Sequence, residues 1–368
     1  MKKRLAIICA DEEQLPLVHQ AKKMGVETHC FSWDKSERHT VCKGIADEFH
    51  PISILEKERI LEVCQEINID GVTSVWNDFS VPTVAFVAQN MGLPGNGYED
   101  ALVSINKYKA RRAYLRNGVN SPQFAVVQEG QIPDLSGFRY PLIVKPTDGG
   151  CSVGVIKIER KEDVQEAIQT VFQHSTRKEA IIEEFITGAE VNVDSVSYNG
   201  THYLLAITDR ELATGFSLLA KHYPTRFSPE IQEKIKAETL KSLDAINFKN
   251  GAAGTQFIVT EAGEVLSIEI NPRLSGSYSD VLLKLHNGYD IVKGIIDIAL
   301  GQFEEPVFTD IKYSGLYYLC KETEWARQVI ENKDTNPDVV EAGFYEQSYN
   351  KERKGYFIYQ SKQRNFYH

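Results

Sequence analysis

Over the first hundred residues, short apolar runs alternate with stretches of helical spacing, and few folds accommodate that pattern. Arg4 to Cys9 reads as a fully buried strand. Leu15, Val18, Ala21 and Met24 then recur at threefold spacing, and Gly25 stops the helix. Val26 to Trp33 reads as a strand, Ile52 to Ile67 as a helix, Asp70 to Trp76 as a strand and Val81 to Met91 as a helix. Such alternation predicts an α/β region built on a parallel sheet. A helix runs from Ser104 through Tyr108 and Leu115 to Gly118, and Pro122 breaks the chain. A β-rich stretch follows at 141–146, 152–158, 180–186, 190–198 and 202–208, interrupted by a helix near 161–173. Residues 229–247 read as helix, 254–260 and 264–270 as strands, and Val281 to Leu300 as helix. The aromatic-rich remainder, 301–368, carries strand-like runs at 312–320, 342–349 and 355–361 and reads as a small antiparallel β subdomain. A length of 368 residues suits two to three domains.

Several functions are disfavoured. The turn after the first strand is Cys9-Ala10-Asp11-Glu12-Glu13, with no glycine to let a dinucleotide approach and two acids to repel its phosphates. The net charge of -10 argues against a nucleic-acid footprint. No apolar run reaches the ~18 residues of a membrane span. The N-terminal apolar run stops at Asp11, too early for a signal peptide. The six cysteines include no CxxC pair, and no Cys/His spacing matches a zinc site, so reduced thiols in a cytoplasmic protein are expected. Cys151 sits in a glycine-rich loop without a base nearby to activate it.

Three segments carry chemistry. In Tyr140 to Val155, Lys145 ends an apolar strand, and a loop with Gly149, Gly150, Ser152 and Gly154 follows. Glycines let backbone N–H groups crowd phosphate oxygens, and a buried lysine adds a point charge. The same string also reads as an ordinary glycine-rich hairpin. In Ile181 to Asp194, Glu183 and Glu184 end an apolar strand, followed by Phe185, Ile186 and, after a glycine, Glu190. Backbone groups there can pair with an adenine edge and Glu190 with ribose hydroxyls, although a hairpin with solvated acids gives the same pattern.

The third segment, Thr255 to Arg273, is the most specific. Glu269 and Asn271 lie two apart on a strand and share a face. With Ala262-Gly263 as a two-residue turn, Glu261 opposes Glu264 and Gln256 opposes Glu269, which gathers Gln256, Glu269 and Asn271. Carboxylate and amide oxygens suit Mg²⁺, which keeps few protein ligands. Pro272 ends the strand, and Arg273 points a fixed fork at whatever the metal holds.

Taken in order, these segments resemble the ATP-grasp superfamily and, within it, carboxylate–amine ligases with a carbamoyl-phosphate-synthase-like core. The resemblance spans roughly 1–300 and includes Gln14-Leu-Pro16, Ala46-Asp47, Asp70-Gly71, Leu93-Pro94-Gly95 and Asn106-Lys107. It implies a Rossmann-like pre-ATP-grasp domain (1–100), a two-lobed ATP-grasp domain (101–300, lid lobe about 138–188) and the β subdomain (301–368). It implies that Lys107 and Lys145 hold ATP phosphates and that Gly149, Gly150, Ser152 and Gly154 close over them. Glu183, Glu184, Phe185 and Ile186 would form the adenine hinge, Glu190 would bind ribose, and Gln256, Glu269 and Asn271 would bind Mg²⁺ or Mn²⁺. Arg273 would stabilise the acyl phosphate, and Ser275 and Gly276 would meet the reacting substrate. Gln256 departs from the acid usual at its position and removes one negative charge from the metal site.

The expected reaction joins a carboxylate to an amine at the cost of ATP. Asp78 and Ser80, after the strand ending near Trp76, fall at the carboxyl ends of the sheet, where ligands bind. Asp78 can meet an ammonium group, and Arg210 or Lys221 a carboxylate. Small-molecule acid and amine substrates are the expected partners, with no nucleic acid or membrane, and a homodimer is the common default. Alternatives are a bicarbonate-dependent carboxylase of the same fold and a non-catalytic ATP-binding protein, which Gln256 favours.

Overall fold

The computed structural model describes residues 2–150, 153–213, 216–346, 350 and 352–364. β1 (Arg4–Ile8), β2 (Glu27–Phe31), β3 (Glu48–His50) and β4 (Gly71–Thr73) form a parallel sheet in the order β3-β2-β1-β4. Side chains alternate across a strand, and both faces of β1 are covered. Leu5 and Ile7 enter the cluster that holds helices Leu15–Lys23 and Ile291–Ala299. Ala6 and Ile8 enter another with helices Lys57–Ile67 and Val81–Met91. Helix Ile291–Ala299 thereby ties the first sheet to the rest of the molecule.

β5 (Phe124–Gln128), β6 (Leu142–Pro146), β7 (Ile156–Ile158) and β8 (Glu179–Glu184) form an antiparallel sheet in the order β5-β8-β6-β7. Helix Val164–Gln173 covers it, burying Val164, Ala167, Ile168, Val171 and Phe172 at helical spacing. The remaining strands are β9 (Ala189–Tyr198), β10 (Thr201–Leu212), β11 (Leu218–Tyr223), β12 (Gly251–Val259), β13 (Val265–Asn271), β14 (Tyr313–Leu319), β15 (Val339–Phe344) and β16 (Gly355–Ser361). They make one antiparallel sheet in the order β13-β12-β9-β10-β11-β14-β16-β15.

The structure revises several expected elements. The helix expected at 52–67 starts at Lys57. The helix expected from Ser104 to Gly118 spans Lys107–Arg116, because the Asn106 side chain caps it by accepting from the Lys109 N–H, and a helix at Tyr98–Ser104 was not anticipated. The helix expected at 281–300 is two, Ser279–Asn287 and Ile291–Ala299, divided at left-handed Gly288 and capped by Asp290. Three strands, β3, β5 and β11, were not anticipated. The three C-terminal strands pair antiparallel as expected, yet they continue the large sheet through β11 and β14 rather than standing apart.

Gln14 locks the carboxyl ends of β1 and β4 together. It is fully buried, donates to the Val75 carbonyl at 2.5 Å and accepts from the Val75 N–H at 3.0 Å. Replacing it by alanine strands both groups, so Gln14→Ala is expected to lower unfolding free energy by about 2–4 kcal/mol in urea titration. An unchanged midpoint would mean that water fills the gap.

Candidate functional site

The large sheet and the four-stranded sheet face each other across a cleft of about 670 Å³. Its floor is the β12–β13 hairpin. The turn there holds three residues, Glu261, Ala262 and Gly263, closed by bonds between Thr260 and Glu264 and from the Gly263 N–H to the Thr260 carbonyl. That is one residue more than the two-residue turn expected, so Glu261 does not oppose Glu264. A bulge then offsets the difference: Phe257 pairs with Ser267, Ile268 is extra, and Gln256 still faces Glu269. Gln256 and Glu269 both line the cleft. Asn271 lies opposite Gly254, and its Oδ1 accepts from Arg273 at 3.3 Å.

Lys107 opens helix Lys107–Arg116, and its Nζ reaches both halves of the cleft. It donates to the Gly149 carbonyl at 2.6 Å and pairs with Glu269 at 2.8 Å. Burial alone would raise the Glu269 carboxyl, but Lys107, then Lys145 and Arg273, hold it down at about 2. Lys145, at the end of β6, meets Glu183 at 2.6 Å. Burial lowers the Lys145 ammonium below its ordinary range, aided by Arg111 and Lys107 and opposed by Glu183.

The glycine loop is anchored by a residue that the sequence reading passed over. Asp148 accepts from the Ser175 and Thr176 hydroxyls and the Arg177 N–H. Gly149 has no room for a side chain, since a Cβ would stand 2.5 Å from Pro146. Gly150 lines the cleft, Gly154 is left-handed, and Ser152 and Cys151 lie outside the described residues.

The four residues after the β8 core diverge from one another. Glu183 points inward, 1% exposed, between Arg111 and Lys145. Glu184 faces the other way and accepts from the Arg139 backbone N–H and guanidinium. Phe185 packs on Phe216, with the Lys157 ammonium 4.5 Å above its ring, and its N–H bonds to Pro141. Ile186 is half-buried beside it. The apolar wall of the cleft comes from Ile143, Val155, Leu212, Phe216 and Ile268, none of which the sequence singled out. Strand alternation on β6, β10 and β13 was the available signal. Glu190 and Arg210 also line the cleft, cross-strand partners 2.7 Å apart, so Arg210 meets Glu190 rather than standing free for a substrate carboxylate.

At the far end, Arg273 grips Asp78 in a bidentate pair at 2.7 and 2.8 Å. Ser80 is buried and bonded to Ser74 and the Asn77 carbonyl, which removes it from the expected site mouth. Lys221 is fully buried. It donates to the Gly276 carbonyl at 3.1 Å and to the Ser279 hydroxyl, and burial lowers its ammonium to about 8. Lys221 therefore supports the Ser275–Ser279 loop from beneath. Ser275 takes the Trp76 indole N–H on its carbonyl at 2.7 Å and the Asn192 amide on its hydroxyl at 3.2 Å.

Comparison with known proteins agrees with this geometry. Residues 138–280 match the ATP-grasp domain family. The D-alanine--D-alanine ligase of Geobacter sulfurreducens is 27% identical over 198 residues, 51% of this chain and 62% of that protein. The alanine--anticapsin ligase of Bacillus subtilis is 24% identical over 297 residues, 70% of this chain and 62% of that protein. The match thus spans under two thirds of these curated relatives. Among solved structures, the L-amino acid ligase from Bacillus licheniformis superposes with TM-score 0.79 at 21% identity, over 98% of this chain and 94% of that one. The N5-carboxyaminoimidazole synthetase from Staphylococcus aureus, complexed with ADP, gives 0.80 at 18% identity over 99% and 95%. The match to the ATP-grasp domain family is thus confined to 138–280, and the fold of the whole chain is that of these solved structures. No helix among the described residues is long and apolar enough to cross a membrane.

The Lys107–Glu269 pair carries a pH signature. The Glu269 carboxyl falls from its ordinary 4.5 to about 2 on folding, so its stabilising contribution is complete above about pH 4.5 and lost as pH falls toward 2. The stability gap between the wild type and Lys107→Met, followed by urea midpoints, should close over that window. A gap constant from pH 7 to 2 would remove the pair as its source.

Proposed function

We propose that the protein is an ATP-dependent ligase that activates a carboxylate as an acyl phosphate and couples it to an amine, releasing ADP and phosphate. The observation that carries this reading is the convergence of Lys107, Lys145, Gln256 and Glu269 on one cleft of an ATP-grasp fold, with Asn271 and Arg273, bonded to each other, next along the chain from Glu269.

Lys107 and Lys145 would take the phosphate oxygens, with Lys107 exchanging its Gly149 carbonyl for them. Gly149, Gly150 and Gly154, with Ser152, would supply loop donors. The base would lie against Ile143, Val155, Leu212, Phe216 and Ile268, its edge toward the backbone at Glu184, Phe185 and Ile186. Glu190 would accept from the ribose. Among the described residues no three His, Cys, Asp or Glu side chains cluster, and the donor set is one carboxylate with two amide oxygens. That set fits a hard cation such as Mg²⁺ or Mn²⁺, held by Glu269, Asn271 and Gln256. When bound, the cation would neutralise charge on the phosphates.

Asp78 is paired with Arg273. A substrate ammonium at Asp78 would release the guanidinium to stabilise the oxyanion of the acyl transfer. An amino acid or small peptide-like acid is therefore the substrate class, in keeping with the names of the relatives. Ser275 and Gly276 would meet it, on a loop that Lys221 supports. Functionally we retain a division into 1–100, 101–300 with its lid at 138–188, and 301–368. Buried free thiols at Cys9, Cys30, Cys42, Cys64 and Cys320 suit a cytoplasmic setting.

ADP release from ATP and Mg²⁺ across amino acids, singly and in pairs with mass detection, tests the reaction. Turnover is expected to need an acid and an amine, with loss of water in the product, and Glu269→Ala is expected to abolish it. Turnover with bicarbonate alone would replace the ligase reading by a carboxylase. Nucleotide binding without turnover is the second reading, favoured by Gln256. A site with one carboxylate is expected to hold one metal ion per nucleotide, counted as bound Mn²⁺ by electron paramagnetic resonance. Gln256→Glu should raise that count toward two, and an unchanged count would remove Gln256 from the metal site.

A further inference from the structure

Arg111 has no assigned part in the reading above, yet it is the most buried cation at the cleft, 2% exposed and one helical turn after Lys107. Its Nε donates to Glu183 Oε1 at 2.6 Å, and its NH2 group donates to the Ile268 carbonyl at 2.6 Å. Glu183 Oε2 holds Lys145 at 2.6 Å. Ile268 is the extra residue of the bulge that brings Gln256 opposite Glu269. One guanidinium thus touches the partner of the phosphate lysine and the backbone that sets the register of the metal oxygens.

A buried carboxylate with a single cation forms a closed neutral pair, and the ammonium in it has little charge left to offer a phosphate. Glu183 instead faces two cations, so the triad keeps a net positive charge. Its cleft-facing member is Lys145, 11% exposed where Glu183 is 1%. We infer that Arg111 is a positioning residue of the nucleotide cleft: by sharing Glu183 it leaves Lys145 charged and available to ATP phosphates, and by holding the Ile268 carbonyl it fixes the β13 bulge. The inference rests on the ATP-cleft reading.

The test is calorimetric titration of wild type and variants with ATP·Mg²⁺ and, separately, with adenosine, which lacks phosphates. Arg111→Gln keeps a donor for the Ile268 carbonyl and removes the charge. It is expected to weaken ATP by about tenfold or more while adenosine stays within about twofold. Arg111→Gln combined with Glu183→Gln frees Lys145 from its neutral pair, so it is expected to recover at least about threefold of the lost ATP affinity. A purely structural role predicts the opposite, a double variant weaker than the single.

Unchanged ATP affinity in Arg111→Gln would overturn the inference. So would equal losses for ATP and adenosine, or a double variant weaker than the single. If Arg111→Gln does not fold, Arg111→Lys decides: it keeps a cation beside Glu183 and should hold ATP within about threefold of wild type. A tenfold loss confined to ATP in that folded variant would refute the charge role. Wild type binding neither ATP nor adenosine would instead overturn the cleft reading on which the inference stands.

Discussion

A carboxylate buried to 1% exposure stays ionised through the cations around it, and Glu183 has two, Arg111 and Lys145, each at 2.6 Å. The triad joins three elements. Arg111 comes from helix Lys107–Arg116, Glu183 and Lys145 from neighbouring strands of the four-stranded sheet, and the other end of Arg111 rests on the large sheet. Lys107, four residues before Arg111, makes the parallel connection at the surface, with the Gly149 carbonyl on one side and Glu269 on the other. Two cations on one helix face thus span both walls of the cleft. Removing one partner of such a buried set costs about 3–5 kcal/mol, because it leaves an uncompensated charge. The relative placement of the two sheets is therefore tied to the electrostatics of the site.

The sequence made most strands and the charged and amide residues of the cleft legible, because period-2 alternation and short motifs survive in one dimension, but not the apolar wall. The Gln256–Glu269 pairing was anticipated through two offsets that cancel, a turn one residue longer than assumed and a bulge at Ile268. The bulge carries no signature in the string Leu266-Ser-Ile-Glu-Ile, and the Arg111 donor that bonds its Ile268 carbonyl lies more than 150 residues away. Arg111 was hidden for the same reason. A cation four residues after Lys107 reads as a solvated helix face until the partner strand is known. Glu183 was expected at the adenine hinge, yet adjacent residues on a strand face opposite sides, and Glu183 takes the inner one while Glu184 takes the outer.

The Asp78–Arg273 and Glu190–Arg210 pairs follow a different logic. Asp78 and Arg273, like Glu190 and Arg210, are cation–anion pairs half-shielded from water, with each partner satisfied by the other. Neither presents a free charge, so a ligand gains only what exceeds the interaction it replaces. A zwitterionic substrate meets that condition better than a simple acid, since it offers both an ammonium and a carboxylate in exchange.

The C-terminal strands complete the argument, because they carry no recognisable motif and yet hold the cleft wall in place. Phe216 lines the cleft, and the residues just after it are tied down from the C-terminal segment: Asn350 donates to the Ser217 hydroxyl at 2.7 Å and Arg353 to the Leu218 carbonyl at 3.0 Å. Arg353 in turn lies 3.7 Å over the Tyr318 ring. Near Ser275 and Gly276, Tyr356 stacks on Tyr278, a left-handed residue in the loop that Lys221 supports. A non-glycine residue holds a positive φ at a cost of about 1–3 kcal/mol, which surrounding contacts must offset. The aromatic stack and the buried lysine are the contacts available to do so. Continuation of the large sheet through β14 and β16 is thus what lets residues beyond 310 shape both ends of a site whose recognisable motifs end at Arg273.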